Sequence, residues 1–452
     1  MQANRICPPL LALAGALFLL SPAETRSFNV YGDMLDLTQR DFRILNGFTG
    51  AFANTNQVPD PDFPGSLGAE LAIRKGIAEW GSRPHGSGLT DPSQDVLGSG
   101  GSNFDAFFAG RSLVAGGPNR NIISVIAGSG GALAFTEIPI ADGWRIRFYN
   151  NVRDWNDRVA PPLLGSSPMD IQGIMTHEFG HALGLDHSAV PGATMDQVTA
   201  DLGIDLRSIE QDDQDGVQFL YGLTDPLKPR IDTYRFVANG TLLRIEGEHF
   251  DATHNEIWFT PDAPTDAMAD PIVRAPGIAS TAGGTVIEVA VPQGVGPGDI
   301  AVKMPGSGPS DLSNVYPFHP TREPWTPPIA YGAPGVSSMG TDVVLGWSSL
   351  PSATAGSIDL FVSGGGTLGF RTGLIAVGTG RATAATPFGT LHIGGNLRRA
   401  ALLTTLDGSG IVSLDLAATP LIGTRLFVQA WVPDGGPSGG VLSNALEIEI
   451  TE

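Results

Sequence analysis

The stretch of sequence that decides the fold covers residues 176–187 and reads Thr176-His177-Glu178-Phe179-Gly180-His181-Ala182-Leu183-Gly184-Leu185-Asp186-His187. Residues four apart lie on one face of an α-helix, so His177 and His181 can present their imidazoles to a single metal ion. Gly184 suits the left-handed residue that commonly ends a helix, and the chain can then reverse and bring His187 to the same ion. Three neutral imidazoles leave a fourth position for water, which is typical of a catalytic rather than a structural zinc site.

Glu178 lies one step round the helix from His177, close enough to hold a water molecule on the metal without being a ligand. A bare His-Glu-x-x-His pattern also occurs by chance on solvated helices that bind no metal. Here the glycine and the third histidine stand at the required offsets, in a chain with only 8 histidines. The sequence therefore predicts one catalytic Zn²⁺ on His177, His181 and His187, with Glu178 as general base.

Composition bounds the architecture and the partners. A chain of 452 residues is too long for one compact core, which indicates two or three domains. With 60 glycines, 35 prolines and only 16% charged residues, it favours turn-rich β structure. The formal charge of −20 argues against nucleic acid or an anionic membrane surface as a partner. Some of the carboxylates are candidates for binding Ca²⁺.

The N-terminus has the pattern of a secretory signal peptide, predicted over residues 1–23. Arg5 supplies its positive charge, residues 10–20 form an apolar run too short to span a membrane comfortably, and small residues precede a cleavage point after Ala23. The expected location is therefore extracellular, with no membrane span in the mature form. Cys7, the one cysteine, would leave with this segment, so stability has to come from burial and bound ions rather than disulfides.

The N-terminal part of the chain, residues 24–222, mixes strand and helix patterns. Strands are predicted at residues 42–45, 121–126, 132–138 and 144–149, and a glycine- and serine-rich loop is expected over residues 86–117. A helix is predicted from Ser66, and its apolar residues recur on one face: Ala69, Ile73, Ile77 and Trp80.

The metal-binding helix has start signals of its own. Ser167 can cap it, Pro168 fits the first helical position, and Asp170 at the third position favours the helix dipole. A further helix with Val217, Leu220 and Tyr221 on its inner face is predicted to end at Gly222.

The pattern changes after residues 224–229, which look like a linker. Beyond them the sequence predicts short strands separated by turn residues, with a second linker at 320–328. The predicted fold class is therefore multidomain: an α/β (α+β) domain at 24–222, followed by two all-β sandwich-like domains at 230–318 and 329–452. A monomer is expected.

Three segments together resemble the metzincin metalloproteases, and within them the matrixin branch. Ser188 directly follows the third histidine, and Met195 lies eight residues after His187, where matrixins place the methionine of the Met-turn beneath the zinc. Residues 212–222 read Asp212-Asp213-Gln214-Asp215-Gly216-Val217-Gln218-Phe219-Leu220-Tyr221-Gly222, which is similar to the C-terminal matrixin helix. The resemblance covers roughly residues 40–222.

This resemblance implies a metzincin fold and a zinc-dependent endopeptidase acting on a protein or peptide substrate. It further implies that an extended substrate pairs with an edge strand around Leu133 and Ala134, although ordinary strand packing explains these two residues equally well. The chain departs from the family in lacking the cysteine of the usual propeptide latch. Residues 146–151 replace a structural zinc segment, and Asp196-Gln197 follow Met195 where the family often has Tyr-Pro, which leaves the side-chain preference open.

The β region carries a second resemblance. Residues 240–247 lead to Phe250, Val291-Pro292 end a strand, and Ser313-Asn314 lie near the end of residues 230–318. These marks are similar to an immunoglobulin-like TIG domain. Residues 442–446 have the look of C-terminal β modules on secreted bacterial proteins.

Rival interpretations of the zinc pattern fit less well. A thermolysin-like site needs a glutamate ligand about twenty residues downstream, where the chain offers Asp201 and Asp205. Peptide deformylase needs a cysteine ligand, and none is available here once Cys7 leaves with the predicted signal peptide. The alternative from another class is a catalytically inactive secreted adhesin or binding protein that uses its β domains, and the intact Glu178 argues against it.

Overall fold

The structure is a computed structural model that describes residues 27–45, 48, 68–83, 100–116, 120–128, 132–138, 143–150, 155–156, 169–197, 204–238, 241–265, 271–321, 329–338, 340, 342–347, 357–363, 370–406, 410–415 and 424–450. The predicted signal peptide at 1–23 and the predicted helix-start residues Ser66, Ser167 and Pro168 lie outside these ranges. Within them, every helix is too short or too polar to cross a bilayer.

The first unit of the described chain, residues 27–222, combines a mixed sheet with α-helices. Its strands and helices are β1 (Asn29–Val30), β2 (Asp41–Leu45), α1 (Gly68–Ala78), β3 (Phe107–Ser112), β4 (Ile122–Ile126), β5 (Ala134–Thr136), β6 (Arg145–Tyr149), β7 (Trp155–Asn156), β8 (Met169–Asp170), α2 (Ile171–Leu183), β9 (Leu185–Asp186) and α3 (Gln211–Tyr221). The five-stranded sheet has the order β3-β2-β4-β6-β5, with β5 antiparallel and the others parallel. The α/β fold class predicted for this region is therefore observed.

One hydrophobic core joins the sheet to the helices. Its buried side chains include Phe42, Ile73, Ile77, Ile123, Phe148, Ile174, Phe179, Val217 and Tyr221. Helices α1 and α2 approach closely at Gly76, where an added Cβ would lie 2.8 Å from the Gln172 carbonyl oxygen. Trp80 donates its indole N–H to the Thr176 carbonyl at 2.9 Å, which fixes α1 against the helix that carries the histidines.

Helix α1 is buried on all sides rather than on the single face that its apolar spacing predicts. Glu70, Arg74 and Lys75 are buried together with the apolar residues. The reason lies in residues distant along the chain, because Glu70 pairs with Arg111 of β3 and Arg74 pairs with Asp299 in the next unit.

The predicted start of the metal-binding helix is wrong by several residues. Helix α2 begins at Ile171, and Asp170 is its N-cap, with a carboxylate that accepts the Gly173 N–H at 2.8 Å. The same carboxylate forms a buried ion pair with Arg207. That partner lies 37 residues away, so local sequence did not reveal why Asp170 serves as the cap.

The expectation of a loop over residues 86–117 is also wrong where the structure describes them, because Phe107–Ser112 forms edge strand β3. Gly110, with φ of +81°, interrupts its strand pattern. Strand β3 also has contacts outside the first unit: the Thr260 hydroxyl donates to the Phe108 carbonyl at 2.6 Å, and Phe107 packs edge-on against Trp258.

The second unit, residues 230–318, consists of two four-stranded antiparallel sheets. Its strands are β10 (Arg230–Val237), β11 (Leu242–Glu248), β12 (Asn255–Pro261), β13 (Val273–Ile278), β14 (Ser280–Thr281), β15 (Val286–Val289), β16 (Val295–Lys303) and β17 (Tyr316–Phe318). The sheet orders are β10-β11-β15-β14 and β13-β12-β16-β17. Leu243 and Ile287 of one sheet share a core with Phe259 and Val302 of the other, which makes a sandwich.

The third unit has the same sandwich architecture with longer strands. They are β18 (Ile329–Tyr331), β19 (Gly335–Val336), β20 (Asp342–Trp347), β21 (Ser357–Ser363), β22 (Phe370–Gly378), β23 (Gly380–Thr386), β24 (Gly389–Gly394), β25 (Arg398–Leu406), β26 (Gly410–Asp415), β27 (Arg425–Pro433) and β28 (Gly440–Glu449). A sheet ordered β18-β28-β27-β22-β25 faces one ordered β19-β20-β21-β26 across a shared core. The sequence patterns did not identify β22 to β25.

The first and second units are joined through buried polar contacts as well as apolar ones. Arg74 forms an ion pair with Asp299, and both side chains are at most 4% exposed. The other Asp299 carboxylate oxygen accepts the Phe108 N–H at 3.2 Å. Lys228 of the expected linker lies 3.0 Å from Asp105, so this linker is packed against the first unit.

We expect Asp299→Ala to lower the free energy of unfolding by about 3–5 kcal/mol, because it leaves the buried Arg74 guanidinium without its partner. Urea unfolding followed by tryptophan fluorescence measures the effect. Asp232→Ala is the matched control, since its side chain is 47% exposed in its pair with Arg230 and should matter by less than about 1 kcal/mol. Equal losses in the two variants would contradict a buried electrostatic junction.

Candidate metal centre

Three histidines converge at the end of helix α2. His177 and His181 lie one turn apart on α2, and His187 follows β9. Their candidate ligand nitrogens all lie within 4.8 Å of one another, and the ring centroids of His181 and His187 are 4.7 Å apart. This is the one cluster of three or more possible metal-binding side chains found in the described part of the chain. Ca²⁺ binding therefore stays a prediction.

The histidine rings are oriented by backbone carbonyl groups. The Nδ1 atom of His177 lies 2.6 Å from the Thr194 carbonyl oxygen, and that of His181 lies 2.9 Å from the Leu185 carbonyl oxygen. A carbonyl only accepts, so each Nδ1 carries the proton and each Nε2 keeps a lone pair for a metal. Burial lowers the pKa of His177 to about 4 and that of His181 to about 3, which keeps both imidazoles neutral at pH 7.

The bend before His187 requires a glycine at position 184 for two reasons. Gly184 has φ of +106°, and an added Cβ would lie 2.3 Å from the Asp33 carbonyl oxygen. The N-terminal strand β1 pairs with β9 across this bend, and Asn29 donates its side-chain amide to the His187 carbonyl at 2.8 Å. These N-terminal contacts were not predicted, because nothing in residues 27–36 signals proximity to His187.

A turn containing Met195 packs against α2 at Gly180, and its Thr194 carbonyl contacts the His177 ring. Met195 is 2% exposed, and its sulfur lies so close to Gly180 that an added Cβ there would come within 2.3 Å of it. The Asp213 carboxylate supports the turn by accepting the Thr194 N–H at 2.8 Å and the Met195 N–H at 3.1 Å. Ser188 donates its backbone N–H to the Met195 carbonyl at 2.7 Å.

Glu178 lies on α2 directly after His177 and is 6% exposed. Burial raises the pKa of its carboxyl group to about 7, and a hydrogen bond from the Thr136 hydroxyl at 3.0 Å opposes that rise. A carboxyl group with a pKa near 7 can both accept and return a proton at neutral pH. Sequence patterns did not identify Thr136 as part of this centre.

The two residues predicted to contact substrate lie at the edge of the sheet nearest α2. Ala134 begins β5 and is 6% exposed, and Leu133 precedes it, partly buried against the core. Strand β5 pairs on one side with β6 and ends the sheet order. Leu133 is also part of the sheet's hydrogen bonding, since its carbonyl accepts the Tyr149 N–H at 3.0 Å.

The donor set fits a zinc ion. Three imidazole nitrogens are the ligands that catalytic zinc takes in proteins, and backbone carbonyls hold the rings of His177 and His181. Glu178, which is buried, directly follows the first of these histidines on α2, and no cysteine stands in residues 169–197.

Comparison with known proteins agrees with this geometry. Residues 119–222 match the family model described as Matrixin. The chain is 47% identical over 57 residues to neutrophil collagenase of Homo sapiens, a match that covers 12% of each chain. It is 49% identical over 53 residues to matrilysin of Mus musculus, covering 12% of this chain and 20% of that protein. The matches thus span about an eighth and a fifth of these relatives.

We expect Gly180→Ala to destabilise the protein by about 1–3 kcal/mol and to weaken zinc binding, because the new methyl group meets the Met195 sulfur and the Trp80 ring. Thermal unfolding and a zinc titration with a chromophoric chelator measure the two effects. In the control Gly380→Ala, the added Cβ has no atom within 4 Å, so both quantities should match the wild type. Unchanged zinc affinity in Gly180→Ala would show that the turn containing Met195 does not shape the centre.

Proposed function

We propose that the chain is a secreted zinc-dependent endopeptidase in which His177, His181 and His187 hold the metal and Glu178 is the general base. The observation that carries the proposal is the convergence of three imidazoles, two with their Nε2 atoms left free, beside a buried glutamate. The Matrixin match over residues 119–222 supports the same activity.

A zinc ion held by the three imidazoles would lower the pKa of a water molecule at its open position and polarise the scissile carbonyl. Glu178 takes a proton from the attacking water and then passes it to the nitrogen of the leaving amine. Glu178 directly follows His177 on α2, so the same helix that carries two of the histidines also carries the base for both transfers. Burial supports this role, because it raises the pKa of the carboxyl group above its usual range and so strengthens it as a base.

The substrate is proposed to be an extended polypeptide that pairs with the open edge of β5, around Leu133 and Ala134. The edge position of β5 and its proximity to α2 support this, since a paired peptide there would lie along the helix that carries Glu178. Met195 is proposed to act as the methionine of the Met-turn.

The proposed organisation of the whole chain follows from these elements. Residues 1–23 are a signal peptide, 24–222 the protease domain, 230–318 a TIG-like domain and 329–452 a further β domain. The two β domains are proposed to target the protease rather than to add chemistry. The one cysteine, Cys7, lies in the proposed signal peptide, so any latency of the secreted protein has to use a group other than a cysteine.

We expect Glu178→Ala to reduce casein and gelatin cleavage by at least about 100-fold while the bound zinc stays near one per chain, because the general base is lost but the ligands remain. A fluorogenic casein assay and metal analysis of the same samples provide both readouts. Glu248→Ala is the control, since its side chain is 45% exposed in the second unit. Equal activity in wild type and Glu178→Ala would refute the proposal and favour a binding protein.

A further inference from the structure

The hydroxyl of Thr136 links the sheet edge to the glutamate of the metal centre. Thr136 is the last residue of β5. Its Oγ1 atom lies 2.7 Å from the backbone carbonyl oxygen of Glu178 and 3.0 Å from the carboxylate oxygen Oε2 of the same residue. One side chain therefore contacts both the main chain and the carboxyl group of Glu178.

These two contacts compete for a single proton. A threonine hydroxyl donates one hydrogen bond, whereas a carbonyl and an ionised carboxylate can only accept. A hydrogen bond to a carboxylate is charge-assisted and is therefore the stronger of the two.

The contact also restricts how the carboxyl group can turn. Among the described residues, Thr136 supplies the one side-chain hydrogen bond found to the Glu178 carboxylate, and this bond is to Oε2. With Oε2 held by β5, rotation about the last side-chain bond of Glu178 is limited, and Oε1 is left for proton transfer. A neutral alanine or valine at position 136 would leave Oε2 buried without this donor.

We propose that Thr136 is a positioning residue, which orients the Glu178 carboxylate relative to the strand edge that pairs with the substrate. The inference rests on the proposed peptidase function and adds a residue to it. Thr136 follows Ala134 by two residues, so a peptide paired with β5 and the base that serves it would share one rigid element.

The test compares Thr136→Val, which removes the hydroxyl at constant shape, with Thr136→Ser, which keeps it. We expect Thr136→Val to lower kcat for casein peptides about 10-fold with KM within about twofold, because a bond to a charged group is lost in the step that uses it. Thr136→Ser should recover most of kcat. Zinc content should stay at the wild-type value in both variants.

A second readout does not depend on peptidase activity. In the Co²⁺-substituted protein, the visible absorption spectrum of Thr136→Val should shift towards that of Glu178→Gln, while Thr136→Ser should match the wild type. If wild-type protein cleaves no peptide, the proposed function fails, and the cobalt spectra still decide the role of Thr136.

The control is Thr224→Val, whose hydroxyl lies 3.0 Å from the Ser102 carbonyl oxygen and 3.4 Å from the Ser82 carbonyl oxygen, both of which are backbone acceptors. It should leave kcat and the cobalt spectrum unchanged.

A wild-type kcat and spectrum in Thr136→Val would overturn the proposal. So would a serine variant as impaired as the valine variant. If valine lowers zinc content, Thr136→Ala replaces it, and a zinc-loaded alanine variant with wild-type kcat and spectrum overturns the proposal.

Discussion

The reversal of the chain at Gly184 is the constraint on which the metal centre depends. Helix α2 can present His177 and His181 by its periodicity alone, but a third ligand requires the backbone to turn back within a few residues. The left-handed conformation of Gly184 achieves this, and the Asp33 carbonyl fills the space that any side chain there would need. Strand β1 then pairs with β9, so the segment between the bend and His187 is held from outside.

The rest of the first unit supports this bend by close packing around helix α2. Gly76 lets α1 lie against α2, and Gly180 gives space to the Met195 sulfur. The Asp213 carboxylate, whose pKa burial raises to about 6, fixes the Met195 turn through backbone N–H groups. Arg74 of α1 forms an ion pair with Asp299 of the second unit, so α1 is held by that unit as well as by α2.

Local sequence was sufficient for the cluster of three histidines, the end of α2 and the class of each region. His177, His181 and Gly184 follow from helix periodicity and termination, and these are short-range properties. It was insufficient wherever a distant partner decides the structure. Asp170 caps α2 while paired with Arg207, β3 is stabilised by the second unit, and Thr136 contacts Glu178 through the tertiary fold. Strands β22 to β25 were missed because their patterns are degenerate.

We infer that three imidazoles hold one zinc ion with an open position beside Glu178. X-ray absorption at the zinc edge of the full chain tests it most directly. We expect one zinc per chain with three nitrogen ligands at about 2.0–2.1 Å and a further light-atom ligand. Replacing His187 with alanine should remove one imidazole from that shell. A shell with no imidazole contribution, or one unchanged by that replacement, would contradict it.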